Sequence, residues 1–399
     1  MIFDRRSVAD GKSDPLRVGA VVAGTAGKTA RVLDANGLNI APIDRYLLHL
    51  VACDMSSLTC RSYAFDLLRW FRLLWCLGVP WDASTPADAE VLVSWMRNTS
   101  NYQRDTNAPD KSRPGTVNPK TGKPSLSSGF APRTINHALS VVHQFYEFHS
   151  SLGHGPVVNP VPGTTTNWWD TNGSESFRSA WQHPRRGRLR QKVPRTLPRA
   201  IPDSLWDELF LSMNCTRDRA LLSLYVSSGA RASELLTLRL ADVDWSRQVM
   251  YVTGKGSRGK QAVPVSPEGL RYLALYLAED GTPAPNEPLW RTRRGTPRAL
   301  TYSAARRILQ RANEKIATNW TLHDLRHTAA TRLANDPSFS LTDVQAILRH
   351  ADISTTALYT AVRVDDLFDR LQAHYDRPQR PRTYAPGYDE QDASVVFGA

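Results

Sequence analysis

The hydrophobic pattern of this chain breaks once, and that break constrains the fold more than any other feature. Between residues 154 and 200 few apolar residues suit a core, and arginines alternate with proline and glycine in "HPRRGRLRQKVPRTLPR". The sequences on either side must therefore each form their own core, and 399 residues suffice for two or three domains. We expect a helical domain over 42–153, a basic linker over 154–200 and a second domain over 201–376.

Helical periodicity dominates the first domain. Apolar residues recur at spacings of three and four in "PIDRYLLHLVACDM" and in "SLTCRSYAFDLLRWFRLLWCLG", where Gly78 has the position of a C-cap. Thr85 and Pro86 have the positions of an N-cap and a first helical residue. With a further helix in "APRTINHALSVVHQFYEFHSSLG", the pattern predicts a bundle of four or five helices.

Three stretches outside these helices have their own expected roles. Residues 1–41 are predicted to form an N-terminal extension, with a small hairpin across Asn36-Gly37. Residues 99–130 are polar and contain glycine and proline, which is typical of a loop. Residues 377–399 are expected to be disordered.

The second domain mixes helices with two short strands. The strands are predicted around a Gly/Lys turn in "RQVMYVTGKGSRGKQAVPVS", and helices in "DRALLSLYVSSG", "TYSAARRILQRANEKI", "LHDLRHTAATRLAN" and "LTDVQAILRH". The fold class that follows is mainly α with a small β-hairpin or sheet.

Composition indicates the kind of partner. The formal net charge of +12 and the isoelectric point of about 9.7 favour a polyanion, with nucleic acid ahead of an anionic membrane surface. No apolar run reaches 18 residues and no signal segment is recognised at the N-terminus, so we expect a cytoplasmic, nucleoid-associated protein without a membrane partner. The four cysteines show no metal-ligand spacing and are expected to be buried, reduced thiols.

Two nucleotide-binding patterns and a nuclease pattern are excluded. "GKGSRGKQ" spaces its glycines and lysine like a phosphate-binding loop, but Gln261 stands where Ser or Thr would hold magnesium. In "AGTAGKTA", Val22 replaces the first glycine. Nor is there a spaced set of acidic residues typical of a two-metal nuclease.

Metal-free phosphoryl transfer on DNA is the remaining chemistry to consider. It needs a nucleophile, guanidinium groups for the charge on the phosphate oxygens, and groups that move protons. Each candidate taken alone has an ordinary structural explanation, and Tyr359 by itself would be assigned to core packing. Six candidates nevertheless stand in this order in the second domain: Arg231, Lys255, His323, Arg326, His350 and Tyr359.

The motifs that carry these residues resemble the tyrosine recombinase, or phage integrase, family. They are "ARASELLTLR", "VTGKGSRGKQAVPV", "LHDLRHTAATRLA" and "LRHADISTTALYT", and the resemblance covers about residues 202–375. It implies an N-terminal core-binding (SAM-like) bundle and a C-terminal α+β catalytic domain that close around duplex DNA. No metal or other cofactor is implied.

The resemblance also implies a role for each of the six residues. Tyr359 would attack the scissile phosphate and form a 3′-phosphotyrosyl link, with Arg231 and Arg326 on the non-bridging oxygens. His323 would exchange the tyrosine proton and His350 would donate a hydrogen bond to the phosphate.

The leaving 5′ oxygen would take its proton from Lys255, chosen over Lys260 because it directly follows the first strand. Glu234 and His327 are expected to support the site.

One position departs from the family pattern. Arg349 stands where the family usually has glycine, which suits a left-handed helix cap at lower cost. We expect slight strain there, or a phosphate contact that offsets it. The full set of expected DNA contacts is Arg185, Arg186, Arg188, Arg190, Arg258, Lys260 and Arg349.

The expected activity is site-specific DNA recombination by a homotetramer on a synapse of two duplexes, with accessory proteins possible. The helix predicted in "VRVDDLFDRLQAHY" would pack either on a neighbouring subunit or in cis. Residues 1–41, 99–130 and 154–200 favour a mobile-element enzyme over a compact chromosome-dimer resolvase. Two alternatives stay open: a type IB topoisomerase, which relaxes supercoils as a monomer, and a DNA-binding accessory protein that has lost catalysis.

Overall fold

The computed structural model of the chain describes residues 3–24, 30–99, 115–125, 129–161, 163, 187, 189–193, 198–254 and 259–349. The chain divides into two compact units, Met1–Arg195 and Thr196–Ala399. Both are built mainly from helices, and each contains one small antiparallel sheet. This confirms the predicted fold class. None of the helices described is long and apolar enough to cross a membrane.

The described part of the first unit contains five helices and two strands. In chain order they are α1 (Arg5–Ala9), β1 (Ala20–Ala23), β2 (Ala30–Leu33), α2 (Ala41–Ala52), α3 (Ser57–Leu77), α4 (Pro86–Asn98) and α5 (Pro132–Ser151).

The longest helix, α3, carries the centre of this unit's core. Ser56 caps its start by accepting from the amide of Thr59, and Gly78 ends it in the left-handed conformation at φ 67°. Eleven of its residues are buried, including Trp70, whose indole N–H donates to the hydroxyl of Tyr146 on α5 at 2.8 Å. The predicted C-cap at Gly78 is confirmed, as is the capping of α4 at Thr85, where a capping box is present.

Residues before α2 belong to the same core as the helices that follow. Val8 of α1 and Val32 of β2 have no exposed surface, and both lie in the cluster formed by α2 to α5. The predicted boundary at residue 42 therefore does not coincide with a gap in the packing. The predicted small hairpin across Asn36-Gly37 is confirmed: the amide of Ile40 donates to the carbonyl of Val32 at 3.0 Å, and a bridge joins Leu33 to Asn39. Strand β2 also pairs with β1, a pairing that was not predicted.

Parts of the basic stretch over 154–200 pack on α5. Val161 is buried, and the amide of Gln191 donates to the Asn136 side chain at 2.7 Å. Arg190 donates to the hydroxyl of Ser140 at 2.6 Å. These contacts attach the described portions of the stretch before residue 194 to the first unit. The expected DNA contacts Arg185, Arg186 and Arg188 lie outside the described residues.

The second unit contains seven helices and three strands among its described residues. They are α6 (Asp203–Leu211), α7 (Thr216–Ser228), α8 (Ala232–Leu236), β3 (Val243–Asp244), β4 (Val249–Thr253), β5 (Lys260–Pro264), α9 (Pro267–Asp280), α10 (Tyr302–Ile316), α11 (Leu322–Asn335) and α12 (Leu341–Leu348).

Helix α7 runs through the middle of this unit and packs against both α9 and α11. Ten of its residues are buried, which explains why its sequence shows apolar residues on all sides rather than one stripe. The two predicted strands are confirmed as β4 and β5, paired from Val249 with Pro264 to Thr253 with Lys260. The short strand β3 extends the sheet on the other side of β4.

The cysteine prediction was wrong in part. Cys60 and Cys76 are buried and unpaired, and burial raises the pKa of both thiols. Cys53, however, is exposed at the C-cap of α2, and Cys215 is half-buried at the N-cap of α7. A residue at a helix end is exposed by its position even when the neighbouring sequence is apolar.

Candidate active site

Helix α7 ends in a tight turn that places Arg231. Gly229 adopts the left-handed conformation at φ 57°, and a Cβ there would lie 2.7 Å from the Cδ2 of Leu348. Only glycine combines this backbone conformation with so close an approach. Two residues later Arg231 is the N-cap of α8, with its side chain 36% exposed. The predicted position of Arg231 between two helices is confirmed.

Arg326 lies on α11 and is 4% exposed. One terminal nitrogen of its guanidinium donates to the carbonyl of Gly229 at 2.6 Å, and the other donates to the carbonyl of Leu348, also at 2.6 Å. These bonds tie the end of α7 to the end of α12. They also fix the plane of the guanidinium, which has five N–H donors in a rigid arrangement.

Glu234 is the buried carboxylate of the site, at 2% exposure. It accepts from the backbone N–H and from the guanidinium of Arg231, both at 2.8 Å, and from the guanidinium of Arg349 at 2.7 Å. Burial alone would raise its pKa, but the bonds from Arg231 and the charge of Arg349 lower the pKa below its ordinary value. The carboxylate is thereby kept ionised.

Arg349 is the C-cap of α12 and has the left-handed conformation, at φ 54° and ψ 46°. The expected backbone geometry is therefore present without glycine. Its guanidinium donates to Glu234 and to the carbonyl of Ile347 at 3.0 Å, and its side chain is only 10% exposed. The expectation of a phosphate contact here gains no support, because the side chain is directed into an internal ion pair.

The end of α12 is covered by arginines. The last carbonyls of a helix lack partners within the helix and carry its negative dipole end. Here the carbonyl of Ile347 accepts from Arg349, that of Leu348 from Arg326, and that of Arg349 from Arg231 at 3.3 Å. Three guanidinium groups thus converge on three consecutive carbonyls.

His323 and His327 lie one turn apart on α11. Their ring centroids are 4.1 Å apart with the rings at 67°, and the side chain of His323 is exposed while that of His327 is half-buried. His323 therefore stands on the exposed surface of the helix that carries the buried Arg326.

Lys260, at the start of β5, forms an ion pair with Asp242. This contact directs its ammonium toward the segment before β3.

Among the predicted site residues, the structure brings together Arg231, Arg326, Arg349 and Glu234, with His323 on the same helix as Arg326. In the second domain, four predicted residues lie outside the described part of the chain: Lys255, Arg258, His350 and Tyr359.

Sequence reasoning missed the role of two backbone groups, the carbonyls of Gly229 and Leu348 that hold Arg326. The signal for the first was present in "SSGARASE", where a glycine follows a predicted helix and has the position of a left-handed cap. Within the described ranges, no cluster of three or more His, Cys, Asp or Glu side chains is placed to hold a metal ion.

The electrostatics of the arrangement suit an anion. Arg231, Arg326 and Arg349 contribute three positive charges and Glu234 one negative charge, which leaves a formal excess of two. Guanidinium groups bind phosphate oxygens through paired N–H donors. Arg231 is partly exposed, so a phosphate can reach its guanidinium from the surface.

Comparison with known proteins relates these residues to a family. The model of the phage integrase family matches residues 203–365. A tyrosine recombinase XerC of Xylella fastidiosa is 32% identical over 254 residues, which are 63% of this chain and 78% of the relative. A XerC of Myxococcus xanthus is 32% identical over 203 residues, and that match spans 46% of this chain and 64% of the relative.

Solved structures show the same fold. The Tn1549 transposon integrase in complex with circular intermediate DNA has a TM-score of 0.55 at 15% identity, covering 84% of this chain and 99% of that one. A lambda integrase dimer bound to a COC′ core site has a TM-score of 0.53 at 16% identity, covering 87% and 98%. The family match and the Xylella fastidiosa relative show that the chain belongs to the tyrosine recombinase, or phage integrase, family.

Proposed function

We propose that this protein is a site-specific DNA recombinase that cuts and rejoins duplex DNA through a 3′-phosphotyrosyl intermediate. The single observation that carries the proposal is the convergence of Arg231 and Arg326 on adjacent carbonyls, those of Arg349 and Leu348. The chain continues from these carbonyls directly into His350 and, ten residues after Arg349, reaches Tyr359. Both guanidinium groups are therefore anchored at the start of the segment that carries the proposed nucleophile.

The proposed reaction balances without an external cofactor. The phenolic oxygen of Tyr359 forms a bond to phosphorus, the bond from phosphorus to the 5′ oxygen breaks, and the tyrosine proton passes to His323. Lys255 supplies a proton to the leaving 5′ oxygen, which becomes a 5′-hydroxyl. Attack by a 5′-hydroxyl reverses these steps, so the energy of the phosphodiester is retained in the covalent link.

The two arginines would act on the charge of the phosphate. Negative charge on the non-bridging oxygens increases as the nucleophile and leaving group are both partly bonded, and preorganised donors are most effective there. Arg326 is held in one orientation by two carbonyls, and Arg231 by Glu234 and a third carbonyl. Neither group has to reorient when the phosphate arrives.

A covalent selection tests the proposal without knowledge of the target site. Wild-type protein is incubated with nicked duplexes whose core sequence is randomised, so that cleavage next to the nick releases a short strand and traps the adduct. Protein-linked DNA is recovered under denaturing conditions and sequenced. We expect one enriched sequence from the wild type and none from Tyr359→Phe. An adduct of equal yield from the Phe variant would overturn the assignment of the nucleophile.

The same duplexes, together with a supercoiled plasmid, distinguish the recombinase from the topoisomerase and from the non-catalytic DNA-binding protein. A type IB topoisomerase would relax any supercoiled plasmid and yield adducts without strong enrichment, whereas a recombinase exchanges strands only between two copies of the enriched site. A DNA-binding protein without catalysis would retain DNA under native conditions and yield no covalent product.

The wider biological proposal includes a homotetramer on two duplexes and a mobile-element role. One of the three features that favoured a mobile element is weaker, because residues 3–24 and 30–40 pack into the first unit's core rather than extend from it. The role now rests on the stretches 99–130 and 154–200. Mapping the enriched sequence to the ends of an element would support it, and mapping it to a single chromosomal site would contradict it.

A further inference from the structure

The left-handed cap of α12 carries an arginine, although this backbone conformation favours glycine. We infer that Arg349 is a positioning residue: through Glu234 it fixes the guanidinium of Arg231 in the orientation that receives the phosphate. The inference deepens the proposed function and rests on it. The chemistry at the phosphate stays with Arg231, and Arg349 acts one contact away.

Glu234 is the link between the two arginines. Its Oε1 accepts from the side chain of Arg231 at 2.8 Å, and its Oε2 accepts from the backbone N–H of Arg231 and from the side chain of Arg349. Both oxygens are therefore fixed, and the carboxylate cannot rotate without breaking a charged hydrogen bond. With Arg349 removed, Oε2 would keep only the backbone N–H of Arg231.

A second contact runs through the backbone. Arg231 donates to the carbonyl of Arg349, so the cap residue meets Arg231 from its main chain and meets the partner of Arg231 from its side chain. The side chain also donates to the carbonyl of Ile347, two residues earlier, which holds the guanidinium close to the helix end. A glycine at this position would preserve the bond from Arg231 to the backbone carbonyl and lose the two bonds that the side chain donates, to Glu234 and to Ile347.

The contacts of Arg349 direct its side chain into the protein rather than toward solvent. Its side chain is 10% exposed, compared with 36% for Arg231, and its Nε has no hydrogen-bond partner among the described residues. Turning this guanidinium outward would leave Glu234 with one fewer counter-charge in a buried position.

The test uses the full chain and the duplex most enriched in the covalent selection. Single-turnover cleavage and DNA affinity are measured for Arg349→Gly, Arg349→Lys, Glu234→Gln and the double variant Arg349→Gly/Glu234→Gln. For Arg349→Gly we expect the cleavage rate constant to fall about 10- to 100-fold, the scale of a misplaced catalytic group, while the dissociation constant for DNA stays unchanged. Arg349→Lys should recover most of the rate because it keeps a charge opposite Glu234.

The double variant shows whether Arg349 acts through Glu234. If it does, Arg349→Gly adds no further loss of rate once Glu234 is Gln. Equal losses in both backgrounds, or a weakening of DNA affinity that accounts for the lost rate, would overturn the inference in favour of a direct phosphate contact. Wild-type cleavage by Arg349→Gly would overturn it as well.

A matched control isolates the effect of the backbone. Ala317 is the C-cap of α10 and has nearly the same left-handed conformation, at φ 54° and ψ 43°. Ala317→Gly therefore makes the same backbone change without touching an ion pair, and its cleavage rate should equal that of the wild type. A loss as large as that of Arg349→Gly would show that the rate responds to cap flexibility alone and would overturn the inference.

Failure of the inference can be told apart from failure of the proposed function. If wild-type protein forms no covalent adduct, the proposed function is contradicted, and the link is then tested in the free protein. Urea unfolding of the same four variants should show that the effects of Arg349→Gly and Glu234→Gln are not additive. Additive effects would mean that the two side chains are not coupled and would overturn the inference.

Discussion

Two buried carboxylates in this molecule have the same local role and different global ones. Asp88 in the first unit and Glu234 in the second each occupy the third position of a helix, and each accepts from the backbone N–H of the N-cap residue. Both are almost completely buried, at 0% and 2% exposure, and both are paired with arginine. They differ in what the arginine does.

Asp88 serves the packing of its unit. It accepts from the amide and hydroxyl of Thr85, at 2.8 and 2.9 Å, and from Arg5 of α1. Arg5 comes from 83 residues earlier and is about half exposed at 51%, so this pair attaches α1 to the start of α4. The bonds from Thr85 fix the carboxylate, and Arg5 packs against it from α1.

Glu234 instead orients an arginine of the candidate active site. Its capping partner, Arg231, is itself the group that the site requires, and a second arginine from 115 residues later completes the pair. A carboxylate in the first turn of a helix can thus position a side chain as well as cap the helix. The cost of burying the carboxylate is offset in both cases, but only Glu234 is shared by two guanidinium groups.

The largest expected effect comes from Glu234→Ala. It leaves the guanidinium groups of Arg231 and Arg349 close together without their shared carboxylate, so we expect the free energy of unfolding to fall by about 3–5 kcal/mol. Cleavage of the enriched duplex should fall at least as far as in Arg349→Gly. Urea unfolding and single-turnover cleavage check the two parts, and a variant as stable and active as the wild type would contradict both.

Asp88→Ala is the matched change in the first unit. It removes the carboxylate of the capping box and the partner of Arg5, so the free energy of unfolding should fall by about 1–2 kcal/mol. The cleavage rate constant of the folded protein should not change, because no proposed catalytic group depends on Asp88. A loss of rate at full folding would remove the distinction between the two carboxylates.

The stability of the second unit should depend on pH through Glu234. The pKa of Glu234 is lowered in the folded protein, so its contribution to stability is present above its ordinary value of 4.5 and is lost as the pH falls through the folded pKa. The stability lost between pH 7 and the acid range should therefore be smaller in Glu234→Gln than in the wild type. Urea unfolding across this range gives the comparison, and identical pH dependence would contradict a lowered pKa.

The smallest effect is expected for Arg5→Ala. Its side chain is 51% exposed, so water and salt screen its charge, and Asp88 keeps its two bonds from Thr85 after the change. We expect a loss of about 0–1 kcal/mol in the free energy of unfolding. The change should shift the urea midpoint only slightly. A loss as large as that of Glu234→Ala would show that the two carboxylates depend equally on their arginines.

Sequence predicted the local features of the site and missed its long-range contacts. The left-handed conformation at residue 349 follows from its position after a helix, and it is present even with arginine there. The partner of that arginine does not follow, because Glu234 lies 115 residues away and only the packing of α8 near α12 brings them together. The internal ion pair of Arg349 could not be predicted for this reason, and its phosphate contact stays a prediction.

In the fold, too, local features could be predicted and long-range contacts could not. Capping residues such as Gly78 and Thr85 act within one turn of their helix, so their positions could be read from a few neighbouring residues. The hairpin across Asn36-Gly37 is local as well, but the additional pairing of β2 with β1 depends on which strand covers the first unit's core. Local turn chemistry cannot determine that choice.

The most direct test of the central claim is to identify the residue that carries the DNA. The adduct from the covalent selection is digested with nuclease and protease, and the modified peptide is located by mass spectrometry. We predict a nucleotide linked through its 3′-phosphate to Tyr359. A nucleotide on any other residue, including Tyr375, which follows 16 positions later in the sequence, would contradict the proposal that Tyr359 is the nucleophile.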